Sequence, residues 1–179
     1  MRLKTLLLAL LVTANVQAAP AHEHDAIDKL LADKGFISKL DQVRQTVEDK
    51  ASDLVVTAFG FLGVPYLRGG NSAETGFDCS GFVKAMYEQT IGLILPRRAE
   101  QQAAATQTIE KIELQPGDLV FFNTMKRAFS HVGIYVGEGK FIHSPKPGAQ
   151  VRVESMNVKY WQQRFDGARR VPTSAANSN

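Results

Sequence analysis

The stretch Gly76-Phe77-Asp78-Cys79-Ser80-Gly81-Phe82-Val83 decides how this chain is read. Asp78 suits a helix N-cap, because its carboxylate accepts the unpaired N–H groups of a first turn. Behind it Phe82, Val83, Met86 and Tyr87 recur on one helical face. A helix is therefore expected to begin at Asp78 or Cys79 and to end near Gly92, before Leu95-Pro96-Arg97. That start places the Cys79 thiol at the positive end of a helix dipole, where an anion is favoured. A thiol is a strong nucleophile only as thiolate, and the same N–H groups suit an oxyanion developing on an attacked carbonyl. The negative charge of Asp78 works against the thiolate, so a cationic partner is expected nearby.

Cys79 is the only cysteine among 179 residues, which excludes an internal disulfide. A lone buried cysteine is often plain core, so the thiol has to be weighed with its surroundings. Met1, Arg2 and Lys4, the apolar run Leu6 to Val12, and Val16-Gln17-Ala18 form the pattern of a secretory signal peptide over 1–18. The run is too short to span a bilayer, and no later segment is apolar enough to do so. Cleavage after Ala18 leaves 161 residues, enough for one domain. Losing Arg2 and Lys4 leaves 19 basic residues against 18 acidic ones, a balance that supports neither a nucleic-acid nor an anionic-membrane partner. An unpaired thiol in an exported protein points to retained chemistry.

Outward from the cysteine, the chain divides into a helical extension, 19–50, a domain, 51–171, and a tail, 172–179, of disordered composition. Ile37, Leu40, Val43 and Val47 have helical spacing, and a second helical run covers Ala51 to Leu62, stopped by Gly63 and Pro65. Arg68 to Thr75 reads as a loop. Gln115-Pro116-Gly117-Asp118 is a turn into a strand, Leu119 to Phe122. A hairpin follows: Val132 to Val136, the turn Gly137-Glu138-Gly139, and Lys140 to His143. Val151 to Val153 and Ala168 to Val171 are further strands. Helices precede antiparallel strands, so the fold class is α+β.

Of the four histidines, His22 and His24 fall in the polar leader, and His131 and His143 fall in the hairpin. A three-residue turn sets His143 opposite Gly133, which shares a sheet face with His131. The two imidazoles are then diagonal neighbours about 7–8 Å apart at Cα. A two-residue turn would put them on opposite faces. On one face, His143 can orient His131, and His131 can take the Cys79 proton, an arrangement of nucleophile, base and orienter. The alternative is a pair of ordinary sheet histidines. One cysteine and two hairpin histidines match no zinc spacing, so no metal or other cofactor is expected.

Further motifs join these in order: Gly63-Val64-Pro65-Tyr66, Gly69-Gly70, Leu95-Pro96-Arg97, Gln115 to Phe122, Ser130-His131-Val132-Gly133-Ile134-Tyr135, Phe141-Ile142-His143, Tyr160-Trp161 and Ala168-Arg169-Arg170-Val171. Together they resemble the NlpC family of cell-wall cysteine peptidases from about Leu54 to Val171. The resemblance implies a papain-like fold, with N-terminal helices on an antiparallel sheet and the nucleophile at a helix N-terminus. It implies Cys79 as nucleophile, His131 as base and His143 as the polar third member. Tyr66 matches a family tyrosine reaching toward the oxyanion or substrate, and Asp78 and Ser80 match positions of substrate contact as well as capping. Arg97 is expected to anchor a loop. Ser144 stands where a small apolar residue is expected, with an effect on the pocket, and Arg98 where a small hydroxyl residue is common. Asn123 to Phe129 is expected to wall the cleft.

The expected function is hydrolysis of an amide in peptidoglycan stem peptides through a cysteine acyl-enzyme, in an exported enzyme that either stays in the periplasm or cell envelope or is secreted. The bond is either D-alanyl to diaminopimelate, between stems, or D-glutamyl to diaminopimelate, within one, with the single-domain form favouring the crosslink. Two other readings use the same residues: an acyltransferase or thioesterase on the same dyad, and a wall-binding module without activity. The oligomeric state is not legible in the sequence.

Overall fold

A computed structural model describes residues 34–172. The leader 1–18, His22 and His24, and the tail beyond Pro172 lie outside the described residues. The two expected helical runs, one in the extension and one opening the domain, form a single helix, α1, Lys34–Phe59. Residues Val43 onward make one compact unit, which holds everything described below. Leu54 and Ala58 of α1 are buried in its core. No helix among the described residues is long and apolar enough to cross a membrane.

Two short strands, β1 (Asn71–Ser72) and β2 (Gly76–Phe77), pair antiparallel just before the helix α2, Cys79–Ile91. The cap is as the sequence dictates: Asp78 is extended, and its Oδ1 accepts the N–H of Gly81 at 2.8 Å. Gly92 ends the helix in the left-handed conformation, φ 76°, giving its N–H to Glu88 and Tyr87. Phe82, Val83, Met86 and Tyr87 are buried, while Lys84 and Glu88 pair on the outer side.

Two elements that the sequence did not suggest come next, α3 (Ala99–Ala104) and β3 (Gln107–Ile109). The other strands are β4 (Leu119–Phe122), β5 (His131–Gly137), β6 (Lys140–His143) and β7 (Arg152–Ser155). A short α4 (Lys159–Gln162) precedes β8 (Phe165–Arg170). Six of these strands form one antiparallel sheet in the order β3-β8-β4-β5-β6-β7. All of β4 is buried, so its alternate side chains enter two different clusters. Leu119 and Phe121 join Phe82, Val83 and Met86 of α2 in the main core. Val120 and Phe122 join Phe141, Met156 and Trp161 in a smaller cluster. The sheet is thus covered by α2 on one side and by the segment around α4 on the other.

The hairpin turn departs from the expected form. Gly137 pairs with Lys140, so the turn is the two residues Glu138 and Gly139, both at positive φ (52° and 67°). Alone it would send the two histidines to opposite faces. However, Tyr135 pairs with Phe141 and Ile134 with Ile142, so Val136 is an extra, unpaired residue, a β-bulge beside Gly137 at φ 97°. The bulge supplies the residue that the turn lacks. The register beyond it is the one expected from the sequence, with Gly133 against His143.

Gly133 leaves no room for a side chain. A Cβ there would lie 2.6 Å from Phe141 Cδ2, 2.9 Å from the Ile142 carbonyl oxygen and 3.1 Å from His143 Cβ. Gly133→Ala is expected to destabilise the fold by about 1–3 kcal/mol, as overpacked cores do, and to lower activity by displacing His143. Urea denaturation and a hydrolysis assay on the same sample check both effects.

Candidate active site

Cys79, His131 and Tyr66 line one cavity of about 610 Å³. Cys79 also borders a second hollow of about 360 Å³ with Asp78, Ser80 and Arg97. The sulfur receives backbone N–H groups from Ser80 and from its own residue, at the helix start, and one from Val132, beside His131. His131 lies opposite Phe122 on the α4 side of the sheet, and its imidazole and Cys79 open on the same cavity.

His131 and His143 touch directly, with His131 Nε2 2.7 Å from His143 Nδ1. Both are buried, His143 completely. Trp161 stacks on His131 at 5.6 Å between centroids and meets His143 edge-on at 5.2 Å. This cover excludes water from the pair. Burial is the main cause holding His131 well below its ordinary pKa of 6.5, and repulsion from a protonated His143 adds to it. Burial holds His143 low as well, against the pull of the Glu154 carboxylate.

The thiol is shifted the other way. Burial first, and then the charge of Asp78, push Cys79 up to about 11, although three backbone N–H groups favour the anion. Both shifts favour the neutral forms, thiol and imidazole, over the charged ones. The helix N-terminus stabilises negative charge as expected, but desolvation of the buried sulfur is the larger effect.

Asp78 has little freedom to contact other molecules. Arg97 holds it with both guanidinium nitrogens, Nη1 to Oδ1 at 2.9 Å and Nη2 to Oδ2 at 2.6 Å. The same guanidinium donates to Ser80 Oγ at 3.0 Å and to the Gly70 carbonyl at 3.3 Å. The amide N–H of Gly69 adds a bond to Asp78 Oδ2. Arg97 thus clamps the loop before β1, the cap and the first turn of α2 into one piece, as its place in the motif implied. Arg98 pairs with Glu100. Thr124 and Met125 line the first cavity and Arg127 the second, so the segment Asn123 to Phe129 does wall the cleft. Ser144 does not enter the pocket. It is fully buried, and its hydroxyl donates to the Phe77 carbonyl at 2.7 Å, tying the end of β6 to β2.

One residue in the site was not picked out from the sequence. Glu154 on β7 accepts the indole N–H of Trp161, pairs with Arg152, and lies 3.5 Å from His143 Nε2. The expected strand Val151 to Val153 stopped one residue short of it. Continuing the alternation to Ser155 would have put Glu154 on the face of His143.

Comparison with known proteins places this geometry. The model of the NlpC/P60 family matches residues 63–170, more than half of the chain. The chain belongs to the NlpC/P60 family. It is similar to "Murein DD-endopeptidase MepH" of Escherichia coli (strain K12), with 46% identity over 115 residues, 63% of this chain and 42% of that protein. Against "Gamma-DL-glutamyl hydrolase" of Bacillus subtilis (strain 168) the identity is 41% over 118 residues, 65% of this chain and 28% of that one. Among solved structures, an NlpC/P60 family protein from Bacillus cereus ATCC 10987 superposes with a TM-score of 0.63 at 38% identity, covering 68% of this chain and 40% of that one. The chain thus spans less than half the length of these relatives. The papain-like α+β architecture expected from the sequence is that of this NlpC/P60 domain.

Because burial dominates the thiol, alkylation of Cys79 in the free protein is expected to rise with pH toward a midpoint near 11, above the ordinary 9.0. Iodoacetamide rates measured between pH 6 and 11 check this, and a midpoint below 8 would contradict that upward shift.

Proposed function

We propose that this chain is a peptidoglycan endopeptidase of the cell envelope, cutting the crosslink between D-alanine and diaminopimelate through a cysteine acyl-enzyme. The class of reaction rests on family membership and on relatives named as murein endopeptidases and glutamyl peptidases. The choice of bond rests on one observation about charge in the cleft. Each carboxylate lining the two cavities is already paired with an arginine: Asp78 with Arg97, Glu100 with Arg98, and Glu154 with Arg152. Arg68 and Lys146 in the first cavity, and Arg127 in the second, have no ion-pair partner among the described residues. A site that removes short peptides from a free amino terminus requires a free anion for the ammonium group. This cleft instead offers cations on both sides of Cys79. It suits an internal bond flanked by carboxylates, as the crosslink between two acidic stems is.

In this reading His131 Nδ1 takes the thiol proton as the sulfur attacks the D-alanyl carbonyl. Substrate entering the cleft displaces water, and the proton moves with the attack rather than before it. The tetrahedral oxyanion is held by the N–H groups at the start of α2, with the Tyr66 hydroxyl, which lines the same cavity, as a further donor. The imidazolium returns its proton to the departing amine, and water then releases the acyl-enzyme with His131 again as base. Asp78 and Ser80 act through the clamp with Arg97 and border the leaving side of the cleft. The leader 1–18 is the export signal in this scheme, since the substrate lies outside the cytoplasm.

Incubation of residues 19–179 with crosslinked diaminopimelate-type peptidoglycan is expected to convert dimeric stems to monomers, read by mass spectrometry, with Cys79→Ala inactive. Stems shortened after D-glutamate would overturn the choice of bond. Arg68→Ala and Arg127→Ala are each expected to raise KM by roughly 3–10-fold, the size of one partly screened charge contact, with kcat little changed.

A further inference from the structure

His143 presents a problem of hydrogen-bond accounting. Its Nδ1 is 2.7 Å from His131 Nε2, a separation at which one of the two nitrogens must carry the shared proton. Its Nε2 is fully buried and has no closer hydrogen-bond partner among the described residues than Glu154 Oε1 at 3.5 Å. Two arrangements satisfy the first contact. In one, His131 donates from Nε2 and His143 carries its proton on Nε2, aimed at the carboxylate. In the other, His143 donates from Nδ1 and turns an Nε2 lone pair toward that carboxylate. The second places two electron-rich atoms together in a dry site, and it also puts the His131 proton on Nδ1, the nitrogen needed for the thiol proton.

We propose that Glu154 is a positioning residue for the acyl-transfer reaction, selecting the histidine tautomers that leave His131 Nδ1 free to accept a proton from Cys79. This rests on the reading of Cys79 and His131 as nucleophile and base. The proton balance is simple. The thiol proton moves to His131 Nδ1, and His131 keeps its own proton on Nε2 and still donates it to His143 Nδ1. His143 keeps its proton on Nε2, and Glu154 stays a carboxylate throughout.

Glu154 is built to hold that role. It faces inward from β7, the strand at the sheet edge, opposite Phe141 and diagonal to His143, whose own cross-strand partner is Arg152. Its Oε2 accepts the Trp161 indole N–H, and its Oε1 accepts Arg152 Nε at 2.5 Å. These three neighbours, His143 from β6, Arg152 from β7 and Trp161 from α4, are the charged and polar groups that face it. Together they hold its carboxyl down to about 2, so that it is ionised at any working pH. Trp161 couples the parts, because the same indole stacks on His131. Covering the base and aligning the carboxylate are two uses of one side chain.

The experiment measures tautomers and rates on the same proteins. In ¹⁵N-labelled wild-type protein near neutral pH, imidazole spectra are expected to show both His131 and His143 protonated at Nε2. A His143 proton on Nδ1 overturns the proposal, whatever the activity. Glu154→Gln is expected to populate the Nδ1–H form and to lower kcat roughly 10–100-fold, less than loss of the orienting acid in a serine protease triad. KM should change by less than about 2-fold. Loss of the carboxylate also removes a charge that favours imidazolium, so the acidic limb of kcat should move to lower pH, and Glu154→Asp should restore part of the rate. A slower variant with unmoved tautomers and unmoved limb would show Glu154 to be structural only, and would overturn the proposal. The tautomer spectra can be repeated in Cys79→Ala, so the proposal is decided even if that variant keeps full activity and the acyl-enzyme reading fails.

Discussion

The site depends on one residue without a cross-strand partner. Val136 adds a single step to β5, and that step sets which side of the sheet receives the side chains on each arm of the hairpin. With the bulge, Phe141 and His143 face Phe122, His131 and Trp161. Without it, a two-residue turn would send His143 into the apolar core beneath α2 and would bring Ile142 to the face of His131. Strand register is normally secured by the cost of burying the wrong face. In this hairpin the same cost secures the contact between two imidazoles, because Ile134, Ile142 and Val132 occupy the opposite face.

Burial then sets the charge state of the site. Removal from water disfavours the charged forms of both histidines and of the thiol, while the charged groups near them are neutralised pairwise at the rim, Asp78 by Arg97 and Glu154 by Arg152. The helix N–H groups already face the Cys79 sulfur, and the Glu154 carboxylate already lies beside His143. Preorganised dipoles of this kind need no rearrangement at the moment of reaction.

Much of this was legible in the sequence. Asp78 as cap, Gly92 as stop, and the strands Leu119–Phe122 and Lys140–His143 fall where the pattern put them, since each has strong local signals. The shared face of His131 and His143 was also legible, although the turn that delivers it is a different one. What escaped has physical reasons. Gln107–Ile109 is short and mostly exposed, a strand only because β8 offers it an edge. The two sides of β4 cannot be told apart from Leu-Val-Phe-Phe, because both are buried. Arg97 and Asp78 are 19 residues apart, and no periodicity connects them. The raised thiol is a consequence of packing, whereas the helix dipole that argued for its lowering is visible in the chain itself.

The protonated thiol has a consequence for durability. Peroxides attack thiolates, not thiols, and begin the path to sulfenic and then irreversible sulfinic acid. A thiol pushed up by burial presents less thiolate at neutral pH than a free one. With no second cysteine in the chain to form a protective disulfide, a sulfenic acid here would have no internal route back. The burial that disfavours the thiolate disfavours that first oxidation step too, so the packing around Cys79 shields its sulfur chemically as well as sterically.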